Sequence, residues 1–305
     1  MNLVQINNLH KSYGQLKAVS DFTLSARQGE LLAVAGPDGA GKTTIFRTVC
    51  GLLDYDEGEI NLAGFDINKE FDNIKPLLGY MPQNFSLYPD LSVEENLYFY
   101  AGLFGMTKNE YDQKKIYLYK FSGLGPFAKR RAGKLSGGMK QKLALSCNLI
   151  HDPKILILDE PTTGVDPVSR RQFWDILKKL KSDGSTIIVS TPYMDEVALA
   201  DRAIFIHNGQ KLIEGEPSEL LNHFNGIIYK VDAVPSSALM VQLNKIDGII
   251  SRRFGSSIHL YTDPQNKIER YYDSLSPLGI NVEAISQIQP ELEDLFIQLM
   301  EQSDA

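Results

Sequence analysis

The run Gly36-Pro37-Asp38-Gly39-Ala40-Gly41-Lys42-Thr43 has the composition of a polyphosphate cradle. It fits G-x-x-x-x-G-K-[ST], with an apolar strand (Glu30 to Ala35) directly before it and a helix directly after. In that context backbone N–H groups and the helix N-terminus surround the phosphates, Lys42 neutralises the β and γ oxygens, and Thr43 offers its hydroxyl to Mg²⁺. Thr44 belongs to the same phosphate-binding set. The chemistry this predicts is that of a nucleoside triphosphate. A second constellation, Ile155-Leu156-Ile157-Leu158-Asp159-Glu160, ends an apolar strand in two carboxylates. Asp159 can hold Mg²⁺ through water, and Glu160 can polarise an attacking water molecule.

Elements that could position these groups follow from the hydrophobic patterning. Short strands are predicted at Leu3 to Ile6, Ala18 to Ser25 and Glu30 to Ala35, and a largely helical stretch from Ser92 to about Ile150, interrupted at Gly123, Gly125 and Pro126. Helix and strand then alternate: helix Pro167 to Lys181, strand Ser185 to Ser190, helix Tyr193 to Ala200, strand Ala203 to His207. Asn208-Gly209 is a two-residue hairpin signal. Such alternation predicts an α/β domain, a mostly parallel sheet with helices on its faces. Beyond a boundary near residue 225 the order becomes β-α-β-β-α-β and a final helix, which suggests a small α+β, ferredoxin-like module over 226–305.

Composition sets limits on the partners. The 305 residues carry 31 basic and 38 acidic side chains, a formal charge of -7, whereas nucleic-acid binding calls for a concentrated positive patch. Nucleic acid is therefore not the expected partner. Cys50 and Cys147 match no zinc or redox spacing and read as buried thiols in a reducing compartment. The opening residues have no basic start, apolar run or cleavage site, so the expectation is a cytoplasmic chain. No apolar stretch approaches the ~20 residues that cross a bilayer.

Leu135-Ser136-Gly137-Gly138-Met139-Lys140-Gln141 resembles the signature motif of the ABC ATPases, upstream of the Asp-Glu pair as that family has it. Physically it is a Ser-Gly-Gly opening a helix, a second anion-binding terminus with a hydroxyl donor. The resemblance spans residues 1–225, with a helical subdomain over about 84–150, and implies a P-loop ABC ATPase domain. It implies that Tyr13 stacks on adenine and that Gln83, in Met81-Pro82-Gln83-Asn84, touches the metal and the attacking water. It also implies that Asp166, in Pro161-Thr162-Thr163-Gly164-Val165-Asp166, lies at a dimer interface. By the same resemblance each ATP, with Mg²⁺, is sandwiched between two chains. One gives Lys42, Thr43, Gln83, Asp159 and Glu160; the other gives Ser136, Gly137 and Gly138. The second chain is another copy or a paralogue. A transmembrane permease subunit is the further partner, holding the chain on the cytoplasmic face of the membrane. The ending Pro290-Glu291-Leu292-Glu293-Asp294-Leu295-Phe296 resembles that of ABC-2-type exporter ATPases, which leaves residues 226–305 a regulatory or dimerisation role.

Two departures from the family stand out. Pro192 occupies the position of a His that contacts the γ-phosphate; Pro is tolerated at a first helical position, with Ser190 or Thr191 as the cap. Loss of that donor predicts a turnover lower by roughly 10²–10³. Asp38 puts a carboxylate where Asn or Ser is common, facing either the phosphates or solvent. The group Phe85, Leu87, Tyr88, Tyr98, Phe99, Tyr100 and Phe104 reads either as core of the helical segment or as a groove for a partner's helix. Asn244-Lys245-Ile246-Asp247 matches a guanine-reading tetrad but lacks the D-x-x-G that should precede it. A ribosome-associated ABC protein would carry two cassettes, and a chromosome-associated one zinc cysteines or long coiled coils. A regulatory subunit that binds ATP without splitting it stays open, favoured by Pro192 and opposed by Glu160.

Overall fold

The computed structural model describes residues 1–84 and 86–304. It divides into two compact units, Met1–Pro217 and Ser218–Ala305, so the division falls upstream of the boundary read near residue 225. Phe85 lies outside the described residues.

The first unit is built on two sheets. An antiparallel sheet joins β1 (Asn2–Tyr13), β2 (Leu16–Arg27), β4 (Glu57–Leu62) and β5 (Phe65–Asp66) in the order β2-β1-β4-β5. β1 and β2 run well beyond the short strands predicted, because cross-strand pairing from Asn2↔Arg27 to Tyr13↔Leu16 carries the polar residues between the apolar ones along one ribbon. The other sheet has the order β10-β9-β3-β8-β7-β6, from β3 (Leu31–Ala35), β6 (Leu78–Met81), β7 (Ile155–Leu158), β8 (Thr186–Thr191), β9 (Arg202–His207) and β10 (Gln210–Gly215). β9, β3, β8, β7 and β6 are mutually parallel, and only β10 is antiparallel. The β9–β10 turn is Asn208-Gly209 with φ of 47° and 75°, the pair of left-handed residues that a type I′ hairpin requires.

Helix α1 (Lys42–Val49) buries Ile45, Phe46 and Val49 in the same core as Val4, Ile6 and Leu24 of one sheet and Val34, Ile157 and Ile188 of the other. That placement leaves its N-terminus at the ends of the parallel strands. After the short α2 (Phe71–Ile74) comes the helical stretch: α3 (Val93–Leu103), α4 (Lys108–Ser122) and α5 (Gly137–Asn148). Ser92 with Glu95 and Thr107 with Glu110 form reciprocal capping boxes on α3 and α4, and Gly123 in a left-handed conformation ends α4. α6 (Pro167–Ser182) buries Phe173, Trp174, Leu177 and Leu180. α7 spans only Met194–Val197 and is capped at Tyr193, shorter than the helix expected from Tyr193 to Ala200. Both cysteines are buried free thiols.

The second unit opens in α8 (Pro217–Leu220). It continues through β11 (Ile227–Val231), α9 (Ser237–Leu243), β12 (Ile250–Phe254), β13 (Ser257–Thr262), α10 (Tyr272–Leu275), β14 (Ile285–Ile288) and α11 (Leu292–Asp304). Its sheet is antiparallel throughout in the order β12-β13-β11-β14, the split β-α-β arrangement of a ferredoxin-like module. The last strand starts at Ile285, and Ile280, ahead of it, fills the core with Leu243, Leu260 and Leu275. Asn244 of the guanine-like tetrad is spent locally: its Oδ1 accepts the N–H and the hydroxyl of Ser251.

Candidate nucleotide site

A cleft of about 640 Å³ opens where α1 leaves the parallel sheet, lined by Tyr13, Leu16, Lys17, Ala18, Asp38, Gly39, Gly41, Lys42, Thr43, Thr44, Gln83, Glu160, Asn208 and Gly209. Its floor is the glycine loop. Gly39 and Gly41 have φ of 82° and 104°, and a Cβ on Gly41 would stand 2.6 Å from the Ala18 carbonyl oxygen. A Cβ on Gly36 would stand 2.3 Å from the Ile206 carbonyl, so both ends of the loop fit only glycine. Pro37 and Ala40 shape the loop through its backbone: Ala40 N–H donates to Pro37 O, and Ala40 O accepts from Gly209 N–H at 3.0 Å.

Lys42 is 3% exposed, and its ammonium donates to Gly36 O at 2.8 Å and Pro37 O at 2.9 Å. It also pairs with Glu160 Oε1 at 3.0 Å. The other carboxylate oxygen of Glu160 accepts Gln83 Nε2 at 2.8 Å and the Thr163 hydroxyl at 3.2 Å. Glu160 thus faces the loop lysine directly, and it does so from a left-handed backbone with φ of 45°. Non-glycine residues in that region carry strain and persist where surrounding contacts hold them, most often at functional sites.

Asp159 is fully buried beside it. Its Oδ1 accepts the Ser190 hydroxyl at 2.7 Å, while Oδ2 has no hydrogen-bond partner among the described residues. Burial pushes the Asp159 carboxyl up from the ordinary carboxylate range; the hydroxyls of Ser190 and Thr43 act against that shift. On the next strand the Tyr80 phenol is pushed up to about 12, by burial first and then by the charge of Asp159. A buried carboxylate oxygen with no partner, next to the Thr43 hydroxyl, fits a hard divalent cation, which takes oxygen ligands and completes its shell with phosphate and water.

Of the residues singled out in the sequence, Tyr13, Asp38, Gly39, Gly41, Lys42, Thr43, Thr44, Gln83 and Glu160 line this one cleft. Tyr13 stands at its mouth, 49% exposed, with the Lys11 ammonium 5.5 Å from the ring centroid. Asp38 is an exposed residue of the rim. Ser136, Gly137, Gly138 and Asp166 are not among the lining residues. Ser136 caps α5 by accepting Met139 N–H, and Asp166 caps α6 by accepting Ser169 N–H. A Cβ on Gly138 would come within 2.6 Å of Ser169, so the start of α5 packs against the start of α6.

The expected cap at Ser190 or Thr191 is not what forms. β8 continues to Thr191, Tyr193 is the N-cap of α7, and Pro192 lies before it as a linker residue. Ser190 turns to the acids, and the Thr191 hydroxyl donates to Glu196 Oε2 while accepting Tyr193 N–H. Sequence reading also passed over Leu16, Lys17 and Ala18, which pairing with β1 brings to the cleft, and Asn208-Gly209. The last pair announced a hairpin, but nothing in its spacing announced that the turn docks on the glycine loop.

An ABC transporter family model matches residues 19–163. The chain is 37% identical, over 98% of its length, to a probable multidrug ABC transporter ATP-binding protein of Escherichia coli, of which the match covers 52%. This chain therefore spans about half the length of that relative. It is 31% identical to the linearmycin resistance ATP-binding protein of Bacillus subtilis, over 97% of this chain and 98% of the other. Among solved structures, an ATP-binding cassette in a dimeric post-hydrolysis state with ADP and Pi superposes with a TM-score of 0.63 and 27% identity. That match covers 70% of this chain and 98% of the other.

Proposed function

Since this chain belongs to the ATP-binding proteins of ABC transporters, we propose that it is an ATP-hydrolysing subunit of an exporter, working as a dimer on a transmembrane partner. One observation carries the reading: Lys42, Glu160 and Gln83 meet within hydrogen-bond distance at the mouth of a glycine loop, 3.0 Å and 2.8 Å apart. Lys42 holds the β- and γ-phosphates once they displace Glu160 from it. Glu160 then accepts a proton from the attacking water, which Gln83 orients. Thr43 and Asp159 would hold Mg²⁺, which when bound would supply charge neutralisation for the phosphates. Tyr13 stacks on the base.

Ser136, Gly137 and Asp166 lie outside the cleft and are exposed, available to a second chain, while Gly138 is buried against Ser169 beneath them, which suits a site completed across a dimer. Residues 218–305, which hold no phosphate loop, serve dimerisation or regulation. No helix among the described residues is long and apolar enough to cross a membrane. The transmembrane partner of the proposed exporter supplies the transport path. With Pro192 in place of the imidazole, hydrolysis is slow in a homodimer; in a heterodimer this chain lends its signature residues to a His-bearing paralogue. The test is Glu160→Gln: hydrolysis is lost and an ATP-bound dimer accumulates. A variant that still hydrolyses like the parent ends the catalytic assignment.

A further inference from the structure

Ser190 sits on β8 with no exposed surface, between the two acids of the nucleotide site. Its hydroxyl donates to Asp159 Oδ1 at 2.7 Å and accepts the Glu160 backbone N–H at 2.9 Å. A hydroxyl is one donor and an acceptor in a single atom, and both functions are used here. The register makes this possible. Leu158, the last residue of β7, lies opposite Val189, so the side chain at 190 reaches the end of β7 where the two carboxylates begin.

The two bonds have different consequences. By occupying Oδ1, Ser190 fixes the rotation of the Asp159 carboxyl and leaves Oδ2 buried and without a hydrogen-bond partner among the described residues. By accepting Glu160 N–H, it holds a residue whose φ of 45° lies in the left-handed region, strained for a non-glycine backbone. The hydroxyls of the neighbouring Thr191 and Thr162 are engaged elsewhere. Thr191 and Thr162 both donate to the buried carboxylate of Glu196, at 2.6 Å and 2.7 Å.

We propose that Ser190 is a positioning residue of this site: its hydroxyl aims Asp159 Oδ2 at the divalent cation of the bound nucleotide and, through the same oxygen, sets the backbone from which Glu160 projects. The proposal rests on the nucleotide reading above. It assigns to one small side chain the job of keeping the cation ligand and the water-activating carboxylate in register. A purely structural strand serine would leave the cation requirement untouched.

The experiment measures the affinity of the full-length protein for a fluorescent ATP analogue, first in EDTA and then across a Mg²⁺ titration. The parent is compared with Ser190→Ala and with the near-isosteric Ser190→Cys, whose thiol is a weak donor. In Ser190→Ala the affinity in EDTA stays close to that of the parent, and the half-saturating Mg²⁺ concentration rises about 10–100-fold, the usual cost of losing a group that orients a metal ligand. Ser190→Cys falls between the two and covers the case in which the alanine variant does not fold. Unchanged Mg²⁺ dependence in a folded Ser190→Ala overturns the proposal, as does an equal loss of affinity with and without Mg²⁺, which marks a packing defect. A parent whose nucleotide affinity is blind to Mg²⁺ overturns the proposal alone, whereas a parent that binds no nucleotide in either condition overturns the underlying nucleotide reading as well.

Discussion

Replacing Glu160 by glutamine removes one charge from an enclosed cluster and leaves its shape. At 3.0 Å the Lys42–Glu160 pair has a gross Coulomb attraction of about 5.5 kcal/mol at an effective dielectric near 20. Both side chains are almost wholly buried, so desolvation offsets most of it, and removing one partner of such a pair typically costs about 3–5 kcal/mol. The cost in Glu160→Gln falls below that range, because Lys42 keeps Gly36 O and Pro37 O and the new amide oxygen still accepts from Lys42 or Gln83. For binding, the sign is reversed. A triphosphate competing for the Lys42 ammonium no longer has a carboxylate to displace, so ATP affinity stays near the parent's or tightens by up to about tenfold, roughly 1.4 kcal/mol. Turnover loses its general base, a factor of about 10²–10⁴. Phosphate release at saturating ATP, fluorescent-nucleotide titration and light scattering on a sizing column read the three quantities, with Lys42→Ala as the variant that weakens binding itself. Parent-like phosphate release from Glu160→Gln, or a large loss of its ATP affinity, refutes the assignment of these two residues.

Three further outcomes are expected. Pro192→His, a change in a linker outside α7, raises steady-state hydrolysis by the chain alone at least about tenfold, part of the ~10²–10³ that a preorganised donor contributes; brisk, unchanged hydrolysis by the parent contradicts a degenerate site. Asp159→Asn abolishes Mg²⁺-dependent hydrolysis yet stabilises the metal-free protein. The raised carboxyl pKa means the folded state favours the proton, so its penalty is absent below the ordinary value of about 3.9 and grows as pH rises through the raised one. The urea midpoints of variant and parent should therefore diverge as pH rises above the ordinary carboxylate value of about 3.9, and a constant difference rejects this. A chain ending at Pro217 keeps nucleotide binding and dimerises more weakly; a truncated chain with intact circular dichroism and no ATP binding excludes the role given to the second unit.

The glycine loop and the strand-end acids are legible as a pattern because it is local: each adjoins, within one segment, the strand or helix that places it. Ser190 was misread for a related reason. Local rules weigh a serine before a proline as a cap, whereas pairing with β7 carries β8 to Thr191 and turns the hydroxyl onto Asp159. Likewise Lys17 and Ala18 join the cleft through pairing with a distant strand, which no pattern within one segment encodes. In the second unit the order of elements is readable, but that Ile280 joins the core ahead of the last strand depends on packing that no local pattern encodes. Ser136 and Asp166 carry a recognisable spacing, yet one chain alone gives them only capping duties.

The turn at Asn208-Gly209 has a practical corollary. Two-residue hairpins are ordinarily the positions at which a tag or a reporter domain can be spliced into a protein without harm. Here Gly209 donates to Ala40 O, its own carbonyl accepts from Ser20 N–H at 2.9 Å, and a Cβ at its position would stand 2.6 Å from Ala18 O. The turn is therefore a buttress packed against the back of the glycine loop. A label spliced there would loosen the cradle from behind, whereas the open turn at Gly14-Gln15, where a Cβ on Gly14 meets nothing within 4 Å, leaves room for small additions.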